Sequence, residues 1–397
     1  MFARAFWLYL AARFCTATAM MMLRATVAWH VYALSHSAFH LGLIGLVQFL
    51  PIPALMLIGG ALADVRDRRR IMMAAQAVTL ACAVVLATAT GRDAASLVLL
   101  YVIVLVVGAA WAFDAPSRAA LLPTLVPRDV FPRAVTIAGT NQALAFATGP
   151  ALAGWTIAAG GIAASYAAQA ALVAASLVML GALRTPSRTP STTRFDLRAI
   201  REGLRFVVRN RVVLGCMTLD LLAVIFGGAA ALLPIYARDI LGTGPWGLGL
   251  LRAAPASGAL ATSLVLARRP VEHGAGPVLF GAVAVFGVAT VVFGVSTDLT
   301  VSLVALVVLG ASDLLSVVIR HSLVQMRTPD GMRGRVSAVH SLFTGTSNQL
   351  GEFESGLLAA LFGPIPAVLI GGVGTIVVAA LWMVRFPELR RFDLTDS

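Results

Sequence analysis

The sequence predicts an all-α membrane protein, with twelve transmembrane helices arranged as two six-helix bundles. Three observations predict it. The 397 residues are 59% hydrophobic and only 12% charged, about half the charged share of ordinary soluble domains, so most of the surface must face lipid. All 30 basic residues are arginine, clustered between apolar runs. Stretches of the second half also repeat stretches of the first at fixed offsets.

A helix crossing the hydrocarbon core needs about 20 residues. Apolar runs bounded by Gly, Pro or charge fall at 8–34, 40–63, 71–90, 95–117, 134–158 and 161–183 in the first half. In the second half they fall at 212–237, 246–267, 275–296, 299–321, 336–361 and 364–386. The first run is too long for a cleavable signal and has no fitting small-residue cleavage site, so it reads as a span. Cys15, Cys82 and Cys216 sit singly inside apolar runs, with neither metal-ligand spacing nor a disulfide framework, and read as core filler.

The arginines orient the stack. Arg66, Arg68, Arg69 and Arg70 follow the second run, and Arg128 and Arg133 the fourth. Eight arginines from Arg184 to Arg211 separate the sixth run from the seventh. Arg268 and Arg269 follow the eighth; Arg327, Arg333 and Arg335 the tenth; Arg385, Arg390 and Arg391 the twelfth. The alternate connections hold only Arg92 and Arg238. Basic loops stay inside, so the even exits and both termini are expected in the cytoplasm of a bacterial cell, on its inner membrane. The net charge of +12 is thus read as a topology signal, and no nucleic-acid partner is expected.

The single long connection, 184–211, divides the chain into bundles 1–183 and 212–397. It begins with the polar, flexible TPSRTPSTTR and continues as FDLRAIREGLRFVVRN. There Leu197, Ile200, Leu204 and Val207 share one stripe, which predicts an amphipathic helix on the membrane surface. Gly108 to Arg133 aligns without gaps on Gly310 to Arg335 at an offset of 202, pairing Arg118 with Arg320. Further on, Asn141-Gln142 and Gly149 match Asn348-Gln349 and Gly356. Each half has an even number of spans, so the repeats are parallel about an axis along the membrane normal, suiting a central cavity between rocking bundles.

Gly60-Ala-Leu-Ala-Asp64-Val-Arg66-Asp-Arg68-Arg69-Arg70 resembles the signature loop of the major facilitator superfamily. The resemblance covers essentially the whole chain. Val65 departs where a base is usual, and Asp67 where glycine is usual. FDAPSRAALLPTLVP (113–127), GLRFVVRNRVVLG (203–215), RGRVSAVHSLFTG (333–345) and SNQLGEFESGLLAALFG (347–363) resemble the subgroup of the enterobactin exporter and related drug efflux carriers. The resemblance implies the major facilitator fold and a cytoplasmic gate built from Gly60, Asp64, Arg68, Arg118 and Arg335. Asp64 would approach Arg118 and the start of the eleventh helix near Arg335, where free N–H groups favour a carboxylate. Gly60 would let helices pack closely there.

Charges inside the apolar runs are the remaining site candidates, because ionisable groups in a membrane are costly unless paired or hydrated. Arg24 lies about 20 Å along the first span and Glu352 roughly 25 Å along the eleventh at 1.5 Å per residue. Asp220 and Asp313 lie roughly 10 Å from the cytoplasmic boundary. One reading makes an acid of this set the proton-coupling group; the other makes Arg24, Asp220, Asp313 and Glu352 fixed ion pairs between helices. Asp114 and Arg118, four apart, read as a local helix pair. His30, Gln48, Asn141, Gln142, Asn348 and Gln349 are candidates for hydrogen-bonding a polar substrate, each with an interhelical role as its alternative.

The expected function is a secondary carrier that exports an amphipathic small molecule, siderophore-like or drug-like, by proton antiport with alternating access. The export direction comes from the resemblance alone. An importer of a small nutrient and a non-transporting receptor are the alternatives. A chain without lysine has no GxxxxGK[ST] phosphate loop, which excludes ATP-driven pumping by this chain. No enzyme activity, cofactor or metal is expected. The expected partners are membrane lipid, protons and a small molecule, with the chain acting as a monomer.

Overall fold

A computed structural model describes residues 4–52, 55, 58–60, 62, 66–127, 129–183, 197–269, 271 and 273–393. Among them the regular structure is helical, with no strand. The long helices are α1 (Arg4–Ser35), α2 (Ala38–Phe49), α3 (Arg68–Gly91), α4 (Leu97–Leu125) and α5 (Phe131–Ala182). They continue as α6 (Leu197–Arg209), α7 (Arg211–Phe226), α8 (Gly244–Arg268), α9 (Ala275–Val295), α10 (Leu299–Met326), α11 (Arg333–Phe362) and α12 (Pro364–Arg385). Nine of the described helices are long and apolar enough to cross a membrane, counting Arg211–Ile240 as one. Large apolar side chains stand on their outer faces, Val384 at 81% exposure and Val178 at 73%, as a lipid-facing surface requires. The protein is a multi-pass membrane protein.

Four elements differ from the apolar runs that predict them, α10 by continuing past 321 to Met326. α5 is 52 residues long, about 78 Å at 1.5 Å per residue and too long for one crossing of about 30 Å. Gly161, at φ 80° and ψ 179°, breaks the helical backbone where the fifth and sixth runs meet. α4 runs past the expected end at 117 to Leu125 with Pro116 and Pro123 inside it, since neighbouring helices and side chains re-satisfy the freed carbonyls of membrane helices. The seventh run is not one helix: α7 stops at Phe226 before Gly227-Gly228. A 3₁₀ turn (Ala229–Leu232), a helical turn opened by Pro234 and a π-turn (Tyr236–Ile240) complete it.

The chain forms two compact units. One gathers Met1–His36, Val47–Phe195 and Thr243–Ala253; the other gathers Ser37–Leu46, Asp196–Gly242 and Ala254–Ser397. The first has a core of Phe6, Tyr9, Met72, Leu121, Leu180 and their neighbours. The second is centred on Val207, Met217, Leu279, Phe280, Leu323 and Phe392. Each unit thus includes a short segment from the other half of the sequence, 37–46 in one and 243–253 in the other. Both segments pack through glycine. A Cβ on Gly42 would lie 2.9 Å from the Gly356 Cα, and one on Gly154 would lie 2.7 Å from the Gly249 Cα. With no hydrophobic drive between helices in lipid, such backbone-to-backbone contact is what dispersion rewards.

Candidate functional site

In the second unit a charged cluster joins three helices. Asp220 on α7 and Arg320 on α10 are 4% and 3% exposed, and their side chains form an ion pair. Thr344 on α11 donates its hydroxyl to Asp220 Oδ2 at 3.2 Å, and the Cys216 thiol donates to the Arg320 carbonyl at 3.8 Å. Asp313, two turns before Arg320 on α10, interacts electrostatically with both Arg320 and Asp220. His340 of α11 feels the Asp220 charge, and its ring centroid lies 5.8 Å from that of His321, which pairs with Gln325 at 2.9 Å. Two carboxylates and one guanidinium carry a net charge of −1 when all are ionised, and zero with one proton bound. A guanidinium does not deprotonate in a protein, so the proton must go to a carboxylate.

The first unit places a different set at the matching site. Asp114 and Arg118 form an ion pair at 3.0 Å within α4, with side chains 6% and 14% exposed. The Tyr9 hydroxyl donates to the Arg118 carbonyl at 3.1 Å, the counterpart of the Cys216 contact on Arg320. Gln76 of α3 and the positive charge of Arg13 also act on Asp114. Arg13 donates from Nη2 to Gln142 Oε1 at 3.3 Å. The links between helices here are mostly neutral. Ser176 of α5 holds Gln76 Oε1 at 2.8 Å and Thr16 Oγ1 at 2.7 Å.

The gate residues divide. Asp64 lies outside the described residues. Among the described residues, a Cβ on Gly60 would meet nothing within 4 Å. The close approach belongs to Gly59, whose Cβ would lie 2.5 Å from the Ala112 carbonyl and 3.0 Å from the Phe113 Cα; one residue rotates the contact by about 100°. Arg68 donates to the Ala120 carbonyl at 2.8 Å. Arg69 donates from Nε to the Leu180 carbonyl at 2.6 Å and also to Gly181, capping the negative end of α5. Asp67 caps α3 by accepting from the Arg69 backbone N–H at 2.9 Å. Arg335 pairs at 2.5 Å with Glu202 of α6.

Several polar candidates hold helices together. His30 Nδ1 meets the Tyr166 hydroxyl at 3.2 Å, and the Asn141 amide donates to the Leu10 carbonyl at 3.1 Å. Gln142 is the acceptor of Arg13. Gln48 is buried on α2, and its carbonyl lies 3.1 Å from where a Cβ on Gly108 would sit. Asn348 donates to the Thr344 carbonyl of its own helix at 2.9 Å. Gln349 differs: it is 9% exposed, and its Oε1 has no hydrogen-bond partner among the described residues. Glu352, one turn on, packs against α2, with Oε2 3.1 Å from where a Cβ on Gly45 would sit. Arg24 is half-buried on α1.

Arg320 and Thr344 are the residues that sequence reasoning left out of the cluster. Arg320 falls at the end of the expected tenth span, 299–321. The signal that finds it is the repeat, which pairs it with Arg118.

The family profile described as "Transmembrane secretion effector" matches residues 2–397. The enterobactin exporter EntS of Citrobacter koseri is 25% identical over 386 residues, covering 96% of this chain and 91% of that protein. EntS of Escherichia coli O139:H28 is 25% identical over 384 residues, covering 97% and 92%. Among solved structures, a mutant of the nucleoside transporter NupG superposes with a TM-score of 0.78 at 12% identity, over 96% of this chain and 100% of that one. A bacterial homologue of the human lysosomal transporter Spinster, inward-facing and unoccupied, gives 0.74 at 14% identity, over 98% and 97%. At 12% and 14% identity, these two superpositions show a shared fold alone.

Proposed function

We infer the function from one premise: the chain belongs to the transmembrane secretion effector family of the major facilitator superfamily, and so is a membrane transporter. On our reading it exports an amphipathic small molecule of the siderophore or drug-like kind from a bacterial cytoplasm in exchange for protons. The direction is supported by the family's description as secretion and by the exporter relatives.

The observation that carries the proton half is the surplus acid in the second unit. Asp220 is committed to Arg320 and Thr344, which leaves Asp313 as the carboxylate whose proton changes the cluster from −1 to neutral. Losing that proton returns a net charge to a buried site, and a conformational change that admits water or a cationic substrate relieves it. Asp220 then has the role of a fixed counter-ion, with Asp313 as the carrier. Glu352, packed on Gly45, and Gln349 Oε1, without a hydrogen-bond partner among the described residues, are a second polar point in the same unit, suited to a substrate hydrogen bond.

The test is accumulation of fluorescent amphipathic compounds by cells expressing the chain, with and without a protonophore. Export predicts that de-energised cells retain more compound; an importer would leave them retaining less. Asp313→Asn should abolish the protonophore-sensitive component while the protein still reaches the membrane. A variant as proton-sensitive as the parent removes Asp313 from the mechanism.

A further inference from the structure

We propose that the outer face of α6 is a binding surface for anionic phospholipid headgroups. α6 ends at Arg209 and α7 begins at Arg211, so a single residue, Asn210, joins them. Asn210 turns the chain by accepting from the Val213 backbone N–H at 3.2 Å. Glu202 of α6 also holds Arg335, in the first turn of α11, at 2.5 Å. α6 is therefore fixed at the level where two spans begin, which is the headgroup level of the arginine-rich side.

Only part of its apolar surface is used in docking. Val207 is fully buried, and a Cβ on Gly203 would lie 2.8 Å from the Arg335 carbonyl, so that face is closed against α11. The expected stripe is therefore split, because Leu204 stays 42% exposed and Val208 59%. At about 100° per residue, Leu204 and Val208 lie about 100–140° round from Gly203. Arg201, Arg205 and Arg209 lie about 160–240° round, and all three are exposed. Glu202, the one acid of α6, is engaged by Arg335, and the next arginine, Arg211, faces Glu388 at 3.7 Å.

An apolar ridge beside a row of three guanidiniums, at headgroup depth, matches acyl-chain boundary and phosphate in that order. An acidic peptide or nucleic acid would satisfy the arginines but leave Leu204 and Val208 in water. The expected ligand is phosphatidylglycerol or another anionic glycerophospholipid, whose charge on this helix would steady the junction between α6 and α7.

Native mass spectrometry of the purified full chain, titrated with phosphatidylglycerol or phosphatidylcholine, tests this. The parent should retain phosphatidylglycerol in preference, and R201Q/R205Q/R209Q should lose about fivefold of that preference per arginine removed. R268Q/R269Q, which removes two arginines at the end of α8, should keep it. Should the triple variant not fold, salt gives the same information on the parent, because raising ionic strength to about 1 M, where the Debye length is about 3 Å, should erase the preference. No preference in the parent, an unaltered triple variant or an equal loss in R268Q/R269Q would overturn the assignment. Equally strong competition by soluble glycerol phosphate would overturn the lipid as the ligand.

Discussion

Arg118 and Arg320 occupy equivalent places in the two halves of the sequence, each with its carbonyl accepting from a side chain on the first helix of its half. Their acids sit differently. Arg118 pairs along its own helix with Asp114, a contact that ties no helix to another. Arg320 pairs across to α7, and Thr344 brings in α11. The first cluster has two bases, Arg13 and Arg118, for one acid; the second has two acids, Asp220 and Asp313, for one base. The two halves share the arginine and differ in where their carboxylates stand. The second unit thus has a surplus acid that a proton can neutralise, while the first joins its helices through neutral contacts such as Ser176 with Gln76 and through single arginines on neutral acceptors, such as Arg13 on Gln142.

The comparison breaks most readily at the arginines. Arg320→Gln leaves Asp220 buried without its partner and should cost about 3–5 kcal/mol. Arg118→Gln, where Gln76 and Arg13 still act on Asp114, should cost about 1.5–3 kcal/mol. Thermal unfolding of the purified chain in detergent ranks the two, and equal losses would erase the distinction between an intrahelical and an interhelical pair. Ser176→Ala sharpens the other side. If neutral contacts hold the first unit together, removing the hydroxyl that joins α1, α3 and α5 should cost about 0.6–1.7 kcal/mol, the range for interhelical hydrogen bonds in membranes. No loss in the same melt would show that apolar packing alone suffices there.

The smallest effects are expected at the loop cap. Asp67→Ala should cost about 1 kcal/mol and Asp67→Gly only a few tenths, with transport unchanged. A large loss from Asp67→Gly would mean that the loop acid acts beyond α3.

Much of the fold was legible because membrane physics writes it in composition. Apolar runs of span length and the offset repeat needed no knowledge of side-chain partners. Asp220 and Asp313 were legible for the same reason, as acids inside apolar runs. Partners were not. That His30 meets Tyr166, that Arg69 caps α5 and that Gly59 rather than Gly60 touches α4 depend on the rotation of each helix about its axis, which periodicity leaves open in a helix apolar on all sides. Arg320 was hidden by a boundary. The tenth run ends at 321, whereas α10 continues to Met326 with Arg320 buried inside it.

The central claim is that the exchangeable proton belongs to the second unit, on Asp313. Infrared difference spectra of the purified chain in lipid, recorded between high and low pH, report the C=O band of a buried carboxylic acid without any need for the substrate. That band should vanish in Asp313→Asn and persist in Asp114→Asn. A band that survives in Asp313→Asn and disappears in Asp114→Asn would put the proton in the first unit and contradict the account.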